Sequence, residues 1–255
     1  MTAPVFFSEL GAQLSAGDVV TLDGAEGHHA ASVFRLRSGE VVDVVNGAGL
    51  RASATVGEVG VGRVDLVVAE VKLEAPPVTP ITLVQALAKQ KRDELALTAA
   101  VELGVDRLIP WQAERSVVRR SAKSAHLGFE RWSALARAAA KVSRRAYLPS
   151  VEPVVTTSQL VGRLAELGGA VVVLHEEAPV SLPAWYANWS LNAKPGDGIV
   201  LVVGPEGGIS SAEVVACQSE LSAQVVGLGP NVLRSSTAGP AALAVLAALL
   251  GRWDN

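Results

Sequence analysis

The run Ile199-Val200-Leu201-Val202-Val203-Gly204-Pro205-Glu206-Gly207-Gly208-Ile209-Ser210 decides how the rest of the chain is read. Five consecutive apolar residues, four of them β-branched, specify a strand buried on both faces, because a half-exposed strand would alternate with polar residues. Gly204 to Gly208 cannot extend that strand, and Ser210 to Leu221 then has helical spacing. A strand, a glycine-rich loop and a helix in this order is the unit of a parallel sheet, whose ligands bind at the carboxyl ends of its strands. Glycines there let the backbone pass close to a ligand and expose N–H groups at a helix entrance.

Two further strand ends share this character. Val171 to Leu174 delivers His175-Glu176-Glu177, and Val225-Val226 delivers Gly227-Leu228-Gly229-Pro230-Asn231-Val232-Leu233-Arg234-Ser235-Ser236-Thr237-Ala238. One glycine-rich loop alone is a tight turn, whereas two such loops and a polar third strand end point to a shared site. The loops lack G-x-x-x-x-G-K-[ST], which excludes a P-loop nucleotidase, and no G-x-G-x-x-G opens the first βα unit. No G-x-S-x-G or Cys/His nucleophile pattern is present. The four histidines, His28, His29, His126 and His175, lack metal-ligand spacing, so no metal is expected.

Outward from these motifs the chain splits by period. Residues 1–75 are β-rich, with Val-rich runs at Asp18 to Leu22, Glu40 to Val45, Arg51 to Val59 and Gly62 to Val71, interrupted by a helical stretch near Glu26 to Leu36. Many short strands in so few residues suggest a small barrel. Three prolines within 76–80 make that stretch a linker. Residues 81–255 alternate strand and helix. The strands are Ile81 to Leu87, Arg107 to Trp111, Val151 to Val155, Ala170 to Leu174, Gly198 to Val203 and Val225 to Leu228. The helices are Lys89 to Leu103, Phe129 to Arg145, Ser158 to Leu167, Ser210 to Leu221 and Ser236 to Leu250. The fold class is therefore α/β with a mostly parallel sheet.

The 255 residues carry a net charge of −3, which taken whole argues against a nucleic-acid partner. The distribution argues otherwise. Residues 1–75 hold 5 basic and 10 acidic groups, residues 76–150 hold 13 and 6, and residues 151–255 hold 4 and 9. A positive middle between two acidic flanks is either a set of solvated helix faces or a focused patch for a polyanion. The single cysteine, Cys217, excludes an internal disulfide and fits a reducing, cytoplasmic setting. The start does not read as a signal peptide, and the apolar stretch near Ala241 to Leu250 is too short to span a bilayer, so no membrane association is expected.

The Leu201 to Ile209 block, and Leu228-Gly229 followed by Val232-Leu233-Arg234 and Thr237-Ala238, resemble the SPOUT-superfamily methyltransferases that modify N3 of a uridine in 16S ribosomal RNA. So do Lys91-Arg92-Asp93-Glu94 with Ala100 to Gly104, Glu114-Arg115-Ser116, and Lys141 to Pro149. In the N-terminal part His28 or His29, Val33, Arg35, Arg37, Gly39 and Asn46-Gly47 resemble the family's small RNA-binding β domain. Two positions depart from the pattern: the first basic residue is Arg35, where members carry an arginine near the N-terminus, and Ser236 stands where a glutamate before the threonine is common.

The resemblance implies a PUA-like β-barrel over 1–75 and, after the linker, a SPOUT α/β domain over 81–255 whose C-terminal part is threaded into a trefoil knot. It implies S-adenosylmethionine as cofactor, a homodimer, and a substrate uridine, conventionally numbered 1498, in the 16S ribosomal RNA of the assembled small subunit. The cofactor positions are then Leu174, His175, Glu176, Val203, Gly204, Pro205, Glu206, Gly207, Gly208, Leu228, Gly229, Asn231, Leu233, Arg234 and Thr237. Arg234 is the candidate for the uracil oxygens or the phosphate, the alternative being a capping or pairing role. Glu206 either accepts the N3 proton or orders the loop with water as acceptor, and Glu114 is a further base candidate. Phosphate contacts fall to Lys89, Lys91, Arg92, Arg115, Arg119, Arg120, Lys141, Arg144 and Arg145, joined by Arg35 and Arg37. The competing readings are a SPOUT ribose 2′-O methyltransferase acting on transfer or ribosomal RNA, and a non-catalytic RNA-binding ribosome-assembly factor.

Overall fold

Alternation of small or β-branched residues with polar ones builds the first half of the chain. Ala52, Ala54 and Val56 of strand β4 (Leu50–Gly60) and Val64, Leu66 and Val68 of β5 (Arg63–Leu73) are buried, while the residues between them face outward. A computed structural model describes residues 3–119 and 122–254. It divides the chain into two units, one drawn from Met1–Pro76 and Ala140–Leu148, the other from Pro77–Ala139 and Pro149–Asn255.

In the first unit five strands form one sheet in the order β1-β3-β4-β5-β2. The others are β1 (Val5–Phe7), β2 (Val19–Leu22) and β3 (Val41–Val45). All pairings are antiparallel except β1 on β3. The three residues of β1 are all buried and too few to show a period, so the sequence pattern did not assign them. The helical stretch after β2 is a short α1 (Gly24–His28) that widens into a π-helix, His29–Phe34. Residues 140–148, expected with the second domain, pack here. The Nζ of Lys141 pairs with Glu26 at 2.7 Å, Tyr147 Oη donates to the Glu74 carbonyl at 2.8 Å, and Arg51 donates to the Arg144 carbonyl at 2.8 Å.

The second unit is a parallel sheet in the order β12-β10-β11-β6-β7-β8, with β9 pairing β7. Its strands are β6 (Ile81–Ala86), β7 (Arg107–Gln112), β8 (Ser150–Val151), β9 (Val155–Thr156), β10 (Ala170–Leu174), β11 (Ile199–Val203) and β12 (Gln224–Val226). Its helices are α2 (Arg92–Glu102), α3 (Ala122–Val142, whose last turn belongs to the first unit), α4 (Thr157–Leu167), α5 (Leu182–Trp189), α6 (Ser211–Leu221) and α7 (Ser235–Leu249). Every residue of β6 and β11 is buried, as a central parallel strand requires. The stretch expected as a linker is fixed in this unit at residues 78–80. The Val78 carbonyl accepts from Gly196 N–H, that of Pro80 from Ile199 N–H, and that of Thr79 from Arg252. Among the described residues no helix is long and apolar enough to cross a membrane.

At the β7–β8 edge Glu152, only 9% exposed, accepts from Arg107 at 2.6 Å and from Arg163 at 2.7 Å on both its oxygens. Arg163 chiefly, and Arg107 after it, hold its carboxyl below the ordinary value near 4.5 against the opposing effect of burial. The stability this gives is fully present above pH 4.5 and is lost as pH falls through the lower, folded-state value. Glu152→Gln is expected to cost about 1–3 kcal/mol in urea unfolding at pH 7, and the gap to wild type should shrink as titration proceeds below pH 4.5. A gap independent of pH would show that the ion pair contributes nothing.

Candidate functional site

Because β12, β10 and β11 are neighbours in the sheet, the loops leaving their carboxyl ends meet. Val172–Leu174 pairs with Gln224–Val226 on one side, and Ala170–Val173 with Ile199–Val202 on the other. Between the three loops lies a cleft of about 90 Å³. Of the residues expected to hold the cofactor, Leu174, His175, Glu176, Val203, Gly204, Pro205, Gly208, Leu228, Gly229, Asn231 and Leu233 line it. Four lining residues were not picked out as site positions in the sequence: Ile209, Val232, Ser235 and Ala238. Ser235 and Ala238 lie one turn apart at the start of α7, a spacing that puts both on one helix face and could have flagged them.

The lining is chemically mixed. Leu174, Val203, Ile209, Leu228, Val232 and Leu233 give apolar walls, and His175, Glu176, Asn231 and Ser235 bring polar groups. His175 Nδ1 accepts the Glu177 N–H at 3.1 Å, which fixes the ring at the first strand end. The Ser235 hydroxyl is buried, 8% exposed as a residue, and has no hydrogen-bond partner. Gln85, at the end of β6 and paired in register with Val203, is fully buried with its Oε1 also unpartnered. Of these two orphaned buried atoms only the Ser235 hydroxyl lines the cleft, and such an atom is costly unless something else satisfies it.

The second loop is shaped by contact distance. A Cβ on Gly204 would come within 2.5 Å of Ile209 Cγ1, and one on Gly207 within 3.2 Å of Arg115 Cβ. Helix α6 is anchored behind the loop by a capping box, with Glu213 bonding Ser210 N–H while Ser210 Oγ accepts Glu213 N–H. The same buried carboxylate takes Glu114 N–H and Thr157 Oγ1, each at 2.7 Å, and so joins the ends of β7, α4 and α6.

The other expected site residues that the structure describes are not among those lining the cleft. Glu206 and Gly207 do not line it. Glu206 Oε1 accepts Lys89 N–H at 3.1 Å and Arg92 Nη1 at 3.4 Å, tying the glycine loop to the segment before α2. In that segment Gln90 and Lys91 both have positive φ, 55° and 59°, which for such residues costs about 1–2 kcal/mol each. Arg115 donates to the Gly207 carbonyl at 3.2 Å and Arg119 to that of Glu114 at 2.9 Å. Arg234 is the exposed N-cap of α7, between cleft-lining Leu233 and Ser235, and Thr237 is exposed one turn on. Exposed side chains are presented by Lys89 and Lys91 in the second unit and by Arg35, Arg37 and Arg144 in the first. Lys141 is engaged by Glu26, Arg145 is half-buried, and Arg120 lies outside the described residues. Among the described residues no group of three or more His, Cys, Asp or Glu is placed to hold a metal.

The comparisons with known proteins follow this division. A family described as "RNA methyltransferase domain" matches residues 74–247, and one described as "RNA methyltransferase PUA domain" matches residues 22–69. Ribosomal RNA small subunit methyltransferase E of Mycobacterium tuberculosis is 42% identical over 242 residues, covering 93% of this chain and 89% of the relative. The Bacillus subtilis protein of the same name is 31% identical over 236 residues, covering 92% and 91%. The crystal structure of a ribosomal RNA small subunit methyltransferase E from Neisseria gonorrhoeae bound to S-adenosyl methionine superposes with a TM-score of 0.81, at 26% identity, over 97% of this chain and 98% of that one.

Gly204→Ala should push Ile209 into the cleft and cost about 1–3 kcal/mol of stability, measured by denaturant unfolding. Wild-type stability in that variant would mean the loop relaxes freely and the close approach is immaterial.

Proposed function

This chain belongs to the ribosomal RNA small subunit methyltransferase E family of RNA methyltransferases, and from that premise we propose that it methylates N3 of a uridine in 16S ribosomal RNA. The substrate is the small ribosomal subunit in the cytoplasm, the uridine is the one conventionally numbered 1498, and the methyl donor is S-adenosylmethionine. The observation that carries the reading is the three-loop cleft itself. Its apolar walls fit the donor's adenine and aliphatic chain, while Glu176, Asn231 and the unpartnered Ser235 hydroxyl fit its hydrogen-bonding groups. No metal enters this chemistry. The homodimer and the trefoil knot, carried over from the family resemblance, complete the proposal.

When bound, S-adenosylmethionine supplies an electrophilic methyl group, and the products are N3-methyluridine, S-adenosylhomocysteine and a proton. The chain's own residues hold the reactants in line and manage charge. Backbone groups at Leu174, Gly204, Gly208, Leu228 and Leu233 border the donor's place. Arg234, at the positive end of α7, stabilises negative charge developing on the uracil oxygens as N3 loses its proton. Glu206 keeps the Lys89 to Lys91 segment against the glycine loop through Oε1, which leaves Oε2 to accept the N3 proton. Lys89 and Lys91 in one unit, and Arg37 and Arg144 in the other, contact phosphates and position the RNA without reading its sequence.

Small subunits from cells lacking this protein, incubated with it and methyl-labelled S-adenosylmethionine, should yield N3-methyluridine on nucleoside analysis. Arg234→Ala should lower the rate roughly a hundredfold or more, the scale for losing one oxyanion-stabilising group. A label found on ribose 2′-oxygens, or none in RNA, would overturn the reading.

A further inference from the structure

We propose that Phe34, in the first unit, is a stacking platform for an unpaired base of the RNA substrate, with Arg35 and Arg37 as its flanking phosphate contacts. The inference rests on the proposed RNA substrate and adds a residue and a mode of contact to it.

The backbone around Phe34 is unusual. In an α-helix Phe34 would fall four residues after Ala30 on the same face, and Ala30 is fully buried in the core of this unit. The apolar spacing of the stretch therefore asks for Phe34 inside. Instead residues His29–Phe34 form a π-helix, a form rare in proteins and concentrated at functional sites. Its wider turn carries Phe34 off the Ala30 face. The Leu36 N–H closes back on the Ala30 carbonyl at 3.0 Å, so Leu36 takes the buried place and Phe34 is left 53% exposed. Arg35 ends the element with φ of 58°, a left-handed conformation that is unfavourable for a residue with a side chain.

The exposed ring is nonetheless held in place. Phe6, fully buried, meets it edge-on at 5.8 Å between centroids and 79°, and His29 lies 6.4 Å away. Phe6 is itself fixed by Lys141 Nζ, 4.5 Å from its ring centre and paired with Glu26. A rigid, half-exposed aromatic loses little entropy when a flat ligand covers it.

The charges beside it select the ligand. Arg35 and Arg37 are exposed; Glu26 is paired with Lys141, and Glu40 accepts the Arg37 backbone N–H at 3.0 Å. An exposed aromatic ring followed in the chain by two exposed arginines suits a base and its adjoining phosphates, and is tolerant of which base stacks. Trp253, the other aromatic of similar exposure among the described residues at 52%, adjoins Asp254 and Arg252, the latter bound to Asp106, and lacks this setting.

The test compares Phe34→Leu and Phe34→Trp with wild type, measuring binding to small ribosomal subunits by co-sedimentation and methyl transfer in the same samples. Phe34→Leu keeps an apolar side chain but removes the flat ring. It should weaken binding roughly five- to a hundredfold and raise KM correspondingly, with kcat at saturation and the unfolding midpoint near wild type. Phe34→Trp should bind within about twofold of wild type, since the larger ring stacks at least as well. Equal binding by Phe34→Leu and wild type, or loss in both variants together with a lowered unfolding midpoint, would overturn the proposal. Wild type that binds subunits but transfers no methyl group would sink the methyltransferase reading while leaving the stacking comparison valid; wild type that binds no subunits would sink both.

Discussion

The cleft depends on one strand being hydrogen-bonded along both edges. β10 pairs with β11 on one side and β12 on the other, all parallel, so three segments far apart in sequence end at the same level. A slip of one residue in either pairing would turn Leu174 or Val226 to the opposite face and separate the loops. Val171 to Leu174 and Ile199 to Val203 are buried on both faces, as central strands of a parallel sheet require. Glu213 then locks the arrangement from behind, since one buried carboxylate satisfies groups from the ends of β7, α4 and α6.

Much of this was legible in the sequence where a physical signal is local. Apolar β-branched runs located β6, β10 and β11, and the ends of β10, β11 and β12, read together with the family resemblance, supplied eleven cleft-lining residues. What escaped was non-local or too short. β1 has three residues, and α5 starts from Ser181-Leu182-Pro183 without a distinct apolar stripe; Trp185 is buried there and Tyr186 bonds the Leu249 carbonyl. The π-helix could not be foreseen, because the stretch from Glu26 to Leu36 shows only ordinary helical character in sequence. Nor could the sequence show that residues 140–148 join the first unit, a partition made by Tyr147, Lys141 and the Arg144 carbonyl.

Charge has to be read at the same local scale. The whole-chain total of −3 hides a basic middle segment, and the structure subdivides that segment again. Arg107 and Lys141 serve buried or half-buried ion pairs, Arg92 and Arg115 brace the glycine loop, and the exposed remainder includes Lys89, Lys91 and Arg144. Cations engaged by neighbouring carboxylates or carbonyls order the site; those left in water are available to phosphates, where their contribution falls as salt rises.

The central claim, that three strand ends make one cleft for S-adenosylmethionine, is tested most directly by calorimetric titration of the chain with that compound. Saturable binding to the wild type is expected, together with at least a tenfold loss in Ala238→Phe, whose ring fills the cleft beside Ser235. Absence of binding to the wild type, or undiminished binding to a folded Ala238→Phe variant, would contradict the account.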